Sequence, residues 1–130
     1  MFTVRFLTYK GLYRTVRTDR LNVPTPEGRR GIWPNHMPIL LPIDIGVVKT
    51  RENGQERKYA VSEGMLYFED NEATMLVDYV EDVQEIDLVK ARQAEARARE
   101  KLQNARSDLE IRLATIALQK ALNRVNAADE

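Results

Sequence analysis

Cysteine is absent from this chain of 130 residues, which also contains a single histidine and a single tryptophan. Without cysteine the protein forms no disulfide and no thiolate-ligated metal site, and one histidine is too few for a typical zinc site. Positive and negative side chains balance at 20 each. Net charge therefore indicates neither nucleic acid nor an anionic membrane as a partner.

Long apolar runs and glycine-rich phosphate loops are missing as well. The longest apolar stretch, 37–43, is interrupted by Pro38 and Pro42, and it is far shorter than the ~20 residues that span a bilayer. None of the six glycines belongs to a P-loop or a dinucleotide fingerprint. Met1 leads directly into a strand-like pattern, so we expect no signal peptide. If the protein works at a membrane, another chain must hold it there.

What is present divides into two regions, 1–85 and 86–130. The first region has short stretches of alternating polarity separated by turn signals, which predict an antiparallel β-sandwich or flattened barrel. Asn53-Gly54 and Asp70-Asn71 indicate tight hairpin turns, because Asn and Gly tolerate positive φ. The predicted strands are 2–7, 12–23, 46–51, 57–61, 64–68 and 73–80.

The second region contains neither glycine nor proline and follows a helical period, which predicts two helices in an antiparallel hairpin. Asp87 is placed to cap the first helix, and Ser107 with Glu110 forms a capping box for the second, which we expect to run from Asp108 to about Val125. The fold class is therefore α+β. The inward positions of the first helix are Leu88, Ala91, Ala94 or Glu95, Ala98, Leu102 and Ala105.

The hairpin seam is rich in alanine, so it buries little surface and should be only marginally stable. The second helix has more apolar residues than such a seam covers. They either pack on the sandwich or contact a partner protein, and the sequence leaves both interpretations open. These residues are Leu109, Ile111, Leu113, Ala114, Ile116, Ala117, Leu118, Ala121, Leu122 and Val125.

The segment RGIWPNHMPILLP, residues 30–42, holds the only tryptophan and the only histidine. Histidine is the residue most often used as a general base, but the segment has no Ser or Cys nucleophile beside His36. The prolines stiffen the segment, and rigidity lowers the entropy lost on binding. With Trp33 and Met37, the segment is better suited to docking than to catalysis.

Four segments together resemble one known family, the epsilon subunits of F-type ATP synthase. VPTPEGRRGIWPNHMPILLPIDIGVVKTR is similar to the family's hallmark segment, and YAVSEGMLYFEDNEATMLVDYVEDVQEID to its last strands. EIDLVKARQAEARAREKL and LATIALQKALNRV resemble its C-terminal helices. The resemblance covers essentially the whole chain, and it implies an N-terminal β-sandwich followed by a helical hairpin.

The resemblance also implies a function. Such a subunit belongs to the rotating central stalk, binds the gamma subunit and the c-ring, couples rotation to ion transport and restrains ATP hydrolysis. It has no catalytic site and requires no cofactor. It lies peripherally at the cytoplasmic face of the bacterial plasma membrane. The implied gamma and c-ring contacts are Glu27, Gly28, Arg29, Arg30, Trp33, His36 and Met37.

Within the sandwich, the chain departs from the family pattern at Arg29, Asn35 and Glu63. Arg29 stands in the ring-contacting turn where the family often has an acidic residue. Asn35 and Glu63 each replace a common glycine, and Asn is the better substitute where φ is positive.

Some members of the family bind ATP between the two helices. The matching positions here are Ile86, Asp87, Lys90 and Ala91 on the first helix, Lys120 and Arg124 on the second, and Glu81 before them. Lysine replaces arginine at two of these positions, and it holds phosphate without the bidentate fork of a guanidinium. We therefore expect ATP binding to be weak or absent.

The cations of the first helix suggest how hydrolysis is restrained. An extended hairpin would bring them near acidic surface of the catalytic alpha/beta hexamer, and two hairpin postures separated by a few kcal/mol would form a switch. The alternative is a free-standing nucleotide or small-ligand sensor with a helical lid. The predicted inhibitory cations are Arg92, Arg97, Arg99, Lys101 and Arg106.

Overall fold

The computed structural model describes residues 1–129, which divide into two compact units. The first unit ends at Asp82 and the second begins at Val83, whereas the sequence predicts the change of character after Glu85. The first unit is built from ten strands: β1 Phe2–Thr8, β2 Gly11–Thr18, β3 Leu21–Thr25, β4 Gly28–Ile32, β5 Ile39–Ile43, β6 Gly46–Glu52, β7 Gln55–Val61, β8 Gly64–Glu69, β9 Glu72–Val77 and β10 Val80–Asp82.

The strands form two five-stranded sheets, so the predicted sandwich is confirmed. The first sheet has the order β2-β1-β9-β8-β5 and the second β10-β7-β6-β3-β4. Neighbouring strands are antiparallel except β1 and β9, which pair in parallel. Inward residues alternate with outward ones and fill a core between the sheets. Phe2 meets Phe68 edge to face, with their ring centroids 5.3 Å apart.

Two of the predicted strands are wrong because each is broken at a corner where the chain changes sheets. The predicted strand 12–23 separates into β2 and β3, and 73–80 into β9 and β10. At the first corner the Thr18 hydroxyl accepts the backbone N–H groups of Arg20 and Arg51, at 3.1 and 2.9 Å. Such side-chain bonds to the backbone compete with a continuing strand.

Two further strands, β4 and β5, overlap the segment 30–42, which the sequence predicts to be stiff. Only residues 33–38 between them are irregular. Pro42 lies within β5, which is tolerated because β5 is an edge strand and one side of its backbone needs no donor.

The turns follow the predicted chemistry. Asn53 and Gly54 have φ values of 54° and 78°, and Asp70 and Asn71 have 50° and 59°, as tight hairpin turns require. Asn35 also has a positive φ, 65°, so asparagine does replace glycine there. Glu63 is not among the described residues with positive φ, and its carbonyl accepts the Asp78 N–H at 3.1 Å.

An ion network closes the end of the sandwich. The Asp82 carboxylate is buried and accepts the guanidinium groups of Arg14 and Arg57, at 2.7 and 2.6 Å. A bulge after Phe6 lets Tyr13 turn inward as well, where its hydroxyl accepts the Asp82 N–H at 2.9 Å. The hydrogen bond from Arg57 to Asp82 raises the pKa of that guanidinium. Residues of both sheets thereby meet at Asp82.

The second unit is a short 3₁₀ turn, Val83–Glu85, followed by α1, Leu88–Gln103, and α2, Asp108–Asp129. Asp87 caps α1, because its carboxylate accepts the Lys90 N–H at 3.2 Å. At the start of α2, the Ser107 hydroxyl accepts the Glu110 N–H at 3.1 Å. The Glu110 carboxylate accepts the N–H of Arg106 rather than that of Ser107. The capping box is therefore irregular, because Glu110 accepts from the residue before the capping residue Ser107.

Small residues form the hairpin seam. Ala91 and Ala98 of α1 are buried, as are Ala114 and Ala121 of α2. Ala105, predicted to lie on α1, lies beyond its end and is half-buried in the turn. The second helix, α2, continues four residues beyond Val125 to Asp129. Helices that meet through alanine approach closely but remove little apolar area from water.

Candidate functional surfaces

The outer face of the first sheet carries one continuous apolar row. Pairing places Leu7 beside both Leu12 and Leu76, then Leu76 beside Met65, and Met65 beside Pro42. The row therefore crosses all five strands without a polar residue. Leu12, Leu76 and Met65 are 58%, 55% and 41% exposed. We refer to these five residues as the apolar row. A contiguous exposed apolar surface of this kind marks a place where another molecule binds.

The apolar row is absent from the sequence-based candidates, although the sequence contains a signal for it. A strand exposed on one side should alternate, yet Met65–Phe68 and Met75–Val77 are apolar at consecutive positions. Such runs indicate strands with two apolar faces. The row extends at one edge to Leu40, which is 60% exposed and pairs with Tyr67.

The predicted ring-contacting turn is a tight hairpin between β3 and β4. Thr25 pairs with Gly28, which leaves Pro26 and Glu27 as the two exposed residues of the turn. Gly28 has a φ of 113°, which strongly favours glycine. The Thr25 hydroxyl donates to the Gly28 carbonyl at 2.6 Å. The turn thus presents Glu27 at a fixed position.

Arg29, expected in this turn, lies just after it in β4, as does Arg30. The Arg29 guanidinium folds back across the outer face of the second sheet. It donates to the Val47 carbonyl at 2.6 Å and to the side-chain oxygen of Asn22. Burial lowers the pKa of Arg29, because the charged form is partly removed from water.

The loop 33–38 is held in place by contacts with neighbouring strands. Trp33, 56% exposed, covers Gly31 so closely that a Cβ there would lie 2.6 Å from the indole ring. The side-chain oxygen of Asn71 accepts the Asn35 N–H at 2.6 Å. Met37 is 77% exposed beside this anchored backbone.

His36 has structural partners within the same loop. Its Nδ1–H donates to the Met37 carbonyl at 2.7 Å, since a carbonyl oxygen only accepts. The ring edge rests on Phe68, with centroids 5.9 Å apart and planes at 87°. Both contacts orient the imidazole without a carboxylate or a nucleophile. The geometry fits a residue that holds the loop rather than a general base.

Most of the predicted ATP-binding residues lie in the second unit. Asp87 caps α1, Lys90 is exposed, and Ala91 is buried in the seam. Because the hairpin is antiparallel, the first turn of α1 lies level with Lys120 and Arg124 of α2. Ile86 is half-buried just before α1. These cations therefore lie at the open end of the hairpin.

Glu81 lies in the first unit, on β10, and accepts a hydrogen bond from the Tyr79 hydroxyl. The structure thus gives this carboxylate a partner within the sandwich.

The cations of α1 form two stripes, one on each side of the alanine seam. At 100° per residue, Arg92 and Arg99 share one side, and Lys90, Arg97 and Lys101 share the other. Arg99 is paired with Glu95 at 2.9 Å. Arg106 lies beyond the helix, in the turn to α2, and its side chain is exposed. We refer to the five cations of α1, namely Lys90, Arg92, Arg97, Arg99 and Lys101, as the cationic stripes.

Near the closed end of the hairpin lies a hollow of about 680 Å³ with an apolar floor. Leu113, Ala114 and Ala117 supply its apolar lining, and Arg97, Lys101 and the carboxylates Glu100 and Glu110 also line it. Leu109, Ile111 and Leu113 are 63%, 45% and 58% exposed, so the first turns of α2 present apolar side chains to solvent.

Within residues 1–129, no group of three or more His, Asp and Glu side chains is arranged to hold a metal ion. Neither α1 nor α2 combines the length and apolar character that crossing a bilayer requires.

A rigid sandwich and a thinly packed hairpin, each with exposed apolar residues, are the features of a subunit of a larger assembly. Two family models match the chain end to end. The ATP synthase delta/epsilon chain β-sandwich domain matches residues 1–83, and the long α-helix domain of the same chain matches 84–129. The chain belongs to the ATP synthase delta/epsilon chain family, as the sequence resemblance implies.

Similar proteins include the ATP synthase epsilon chains of two bacteria. That of Desulfitobacterium hafniense strain Y51 is 35% identical over 127 residues, covering 98% of this chain and 96% of the relative. That of Pediococcus pentosaceus is 35% identical over 132 residues, covering 98% and 95%.

Solved structures with the same fold come from mitochondrial ATP synthases. A chain of the Euglena gracilis OSCP/F1/c-ring complex has a TM-score of 0.77 at 20% identity, covering 98% of this chain and 80% of that one. A chain of the Tetrahymena thermophila central stalk/c-ring complex has a TM-score of 0.67 at 18% identity, covering 97% and 95%. At these identities the likeness establishes the fold.

Proposed function

We propose that the chain is a non-catalytic rotor subunit of an ATP synthase, held at the membrane only through the complex. Its sandwich binds the gamma subunit and the c-ring, and its hairpin restrains ATP hydrolysis at the alpha/beta hexamer. Membership in the delta/epsilon family carries this proposal. The central stalk and c-ring named for the Tetrahymena complex, which contains a chain of the same fold, are its expected surroundings. We expect the subunit to lie at the cytoplasmic face of the membrane.

The apolar row is the proposed gamma contact. A flat row that crosses five strands of a rigid sheet loses little entropy on binding, and it suits the extended surface of a protein shaft. Trp33 and Met37 are exposed on or beside the anchored loop and are proposed as separate rotor contacts, since Trp33 packs over Gly31 of the second sheet. The Glu27 turn is polar and projects from the sandwich, so it is the proposed ring contact. Arg29 is excluded from that contact, because its guanidinium is bonded elsewhere.

A matched pair of charge insertions tests the gamma contact. Leu76→Glu places a carboxylate in the middle of the apolar row, and we expect on the order of a thirtyfold loss of affinity for the gamma subunit, as at an interface hot spot. Val89→Glu is the control, because Val89 is a similarly exposed aliphatic residue on α1, 67% against 55%. Affinity is measured by titrating purified gamma into each variant. Equal affinity of both variants and the unchanged chain would refute the contact.

The cationic stripes are the proposed means of restraint. Cations on both flanks of the seam present positive charge whichever side of α1 meets an acidic surface. Charge-assisted contacts there would hold the shaft against rotation in the hydrolysis direction. Removing residues 87–130 from the assembled enzyme should raise ATPase activity and leave the subunit bound. Unchanged hydrolysis would remove the claim of restraint and leave only coupling.

ATP binding at the open end of the hairpin is expected to be weak. Lys90 and Lys120 supply point charges where a guanidinium would supply a fork, and Asp87 already serves as a helix cap. Isothermal titration of the full chain with ATP should give a dissociation constant well above the micromolar range. A micromolar constant that Lys120→Gln abolishes would overturn this expectation. No other cofactor is proposed.

A further inference from the structure

A charged hollow lies on the outer face of the second sheet, where β3, β4 and β6 are neighbours. Its volume is about 280 Å³, and four cations line it: Arg20, Arg29, Lys49 and Arg51. We refer to it as the cationic hollow. The pairing of Asn22 with Lys49 and the corner at Thr18 bring together residues far apart in sequence. In a chain with zero formal net charge, this local concentration of cations needs an explanation.

Carboxylates compensate only part of this charge. Arg29 donates to Asn22 and Val47, both neutral, and in the described part of the chain no carboxylate is among its partners. Arg51 lies 3.7 Å from Asp19, at the long end of an ion pair. Glu56 is the one carboxylate lining the hollow. Several guanidinium and ammonium N–H groups therefore remain available to an anion.

The sheet register adds a like-charge contact. Lys49 on β6 pairs directly with Lys58 on β7, and like charges placed opposite each other destabilise a sheet. Lys58 is 4.0 Å from Glu56, whereas Lys49 faces into the cationic hollow. An anion bound there would relieve the repulsion. The site is also preorganised, because Arg29 and Asn22 are already fixed by their mutual hydrogen bond.

We propose that the cationic hollow binds a phosphate-class anion, through Arg20, Lys49 and Arg51 around the fixed Arg29. Guanidinium forks and an ammonium group are the donors that phosphate oxygens favour. A volume of about 280 Å³ holds one or two phosphoryl groups with part of their water shell. The phosphoryl group comes from a free solute or from a lipid headgroup, and both present the same oxygens. This site is independent of the proposed rotor contacts.

Titration of the full chain with inorganic pyrophosphate tests the site. At low salt we expect saturable amide shifts in the NMR spectrum, centred on residues 20–22 and 49–51. Lys49→Gln and Arg20→Gln should each weaken binding by on the order of tenfold, the value of one lost charge-assisted hydrogen bond. Glu56→Gln should tighten it. Lys10→Gln, an exposed cation on the first-sheet hairpin β1–β2, should change nothing.

Vesicles distinguish the two sources of phosphate. If the source is lipid, the chain should sediment with phosphatidylcholine vesicles containing phosphatidylglycerol, and Lys49→Gln should abolish this while Lys10→Gln should not. If the source is a free solute, pyrophosphate should saturate the site and sedimentation should be equal for both variants. The proposal is overturned if the pyrophosphate shifts do not saturate, or if Lys10→Gln weakens binding as much as Lys49→Gln does.

Discussion

The sandwich and the hairpin are both built from regular elements, but they differ in what they bury. The sandwich encloses Phe2, Phe6, Tyr59 and Phe68, all fully buried. The residues buried in the hairpin are alanines and Val125. A fully buried large side chain stabilises by about 1.5–3 kcal/mol, and an alanine methyl by well under half of that. Similar regularity of secondary structure therefore accompanies very different stability.

This difference corresponds to the two roles proposed. A rigid body suits permanent contacts, because it loses little conformational entropy when it binds. A thinly packed hairpin suits a switch, because a few kcal/mol are enough to move it between states. The two regions can be observed separately. All nine aromatic residues precede Val83, so near-ultraviolet circular dichroism reports only the sandwich, whereas the signal at 222 nm is dominated by α1 and α2.

The largest expected effect is at Asp82. Asp82→Asn leaves the guanidinium groups of Arg14 and Arg57 without their buried anion, and we expect the free energy of unfolding of the sandwich to fall by about 3–5 kcal/mol. Urea unfolding followed in the near ultraviolet measures this loss.

The matched control for Asp82→Asn is Glu72→Gln, which removes the exposed pair with Arg5 at 3.2 Å. Its cost should be below about 1 kcal/mol, because exposed pairs are screened by water. Similar losses in the two variants would show that burial of Asp82 adds nothing to the sandwich.

A pH effect should follow from Tyr59 and remain confined to the sandwich. Burial is the main cause that raises the pKa of Tyr59 to about 12, above its value of ~10 in the unfolded chain. The neutral hydroxyl is favoured in the fold, so its contribution is complete below pH ~10 and is lost as pH rises towards 12. The free energy of unfolding should fall by up to about 1.4 kcal/mol per pH unit in that window.

Tyr59→Phe should remove this part of the alkaline dependence. Near-ultraviolet melts of both proteins between pH 9 and 12 provide the measurement, and the hairpin, which contains no tyrosine, should not share the effect. Identical alkaline slopes would mean that Tyr59 is not the responsible group.

The smallest expected effect is at the hairpin caps. Asp87→Ala removes the acceptor of the Lys90 N–H and should cost α1 about 1 kcal/mol. Because the seam adds little stability, this loss should appear as a lower midpoint at 222 nm and leave the near-ultraviolet midpoint unchanged. Ser107→Ala at the start of α2 should behave in the same way. Coincident shifts at both wavelengths would show that the two regions unfold as one.

Local chemistry allowed the turns and helices to be predicted from the sequence. Asn53 and Gly54 specify their tight turn through their own tolerance of positive φ. The caps Asp87 and Ser107 act within one turn of their helices. The corners at Thr18 and Asp78 were not predicted, because apolar and polar residues go on alternating where the chain passes from one sheet to the other. The break is decided by hydrogen bonds to distant residues such as Arg51.

The candidate contact residues were likewise predictable only where the local sequence sets their position. Glu27 lies at its turn as expected, because Pro26 and Gly28 specify that turn locally. Arg29 turned out to lie across the second sheet, since its acceptor Val47 is distant in sequence. The apolar row was missed, because its members come from five strands and only pairing makes them neighbours.

The order of residues alone determined that a β region precedes a helical hairpin, where the tight turns fall and which family the chain belongs to, because these depend on contacts within a few positions or on pattern along the chain. Only the tertiary structure decided that Leu12, Leu7, Leu76, Met65 and Pro42 form one surface and that Arg20, Arg29, Lys49 and Arg51 share one hollow. The physical reason is sheet register, which brings distant strands side by side and chooses the face on which each side chain lies.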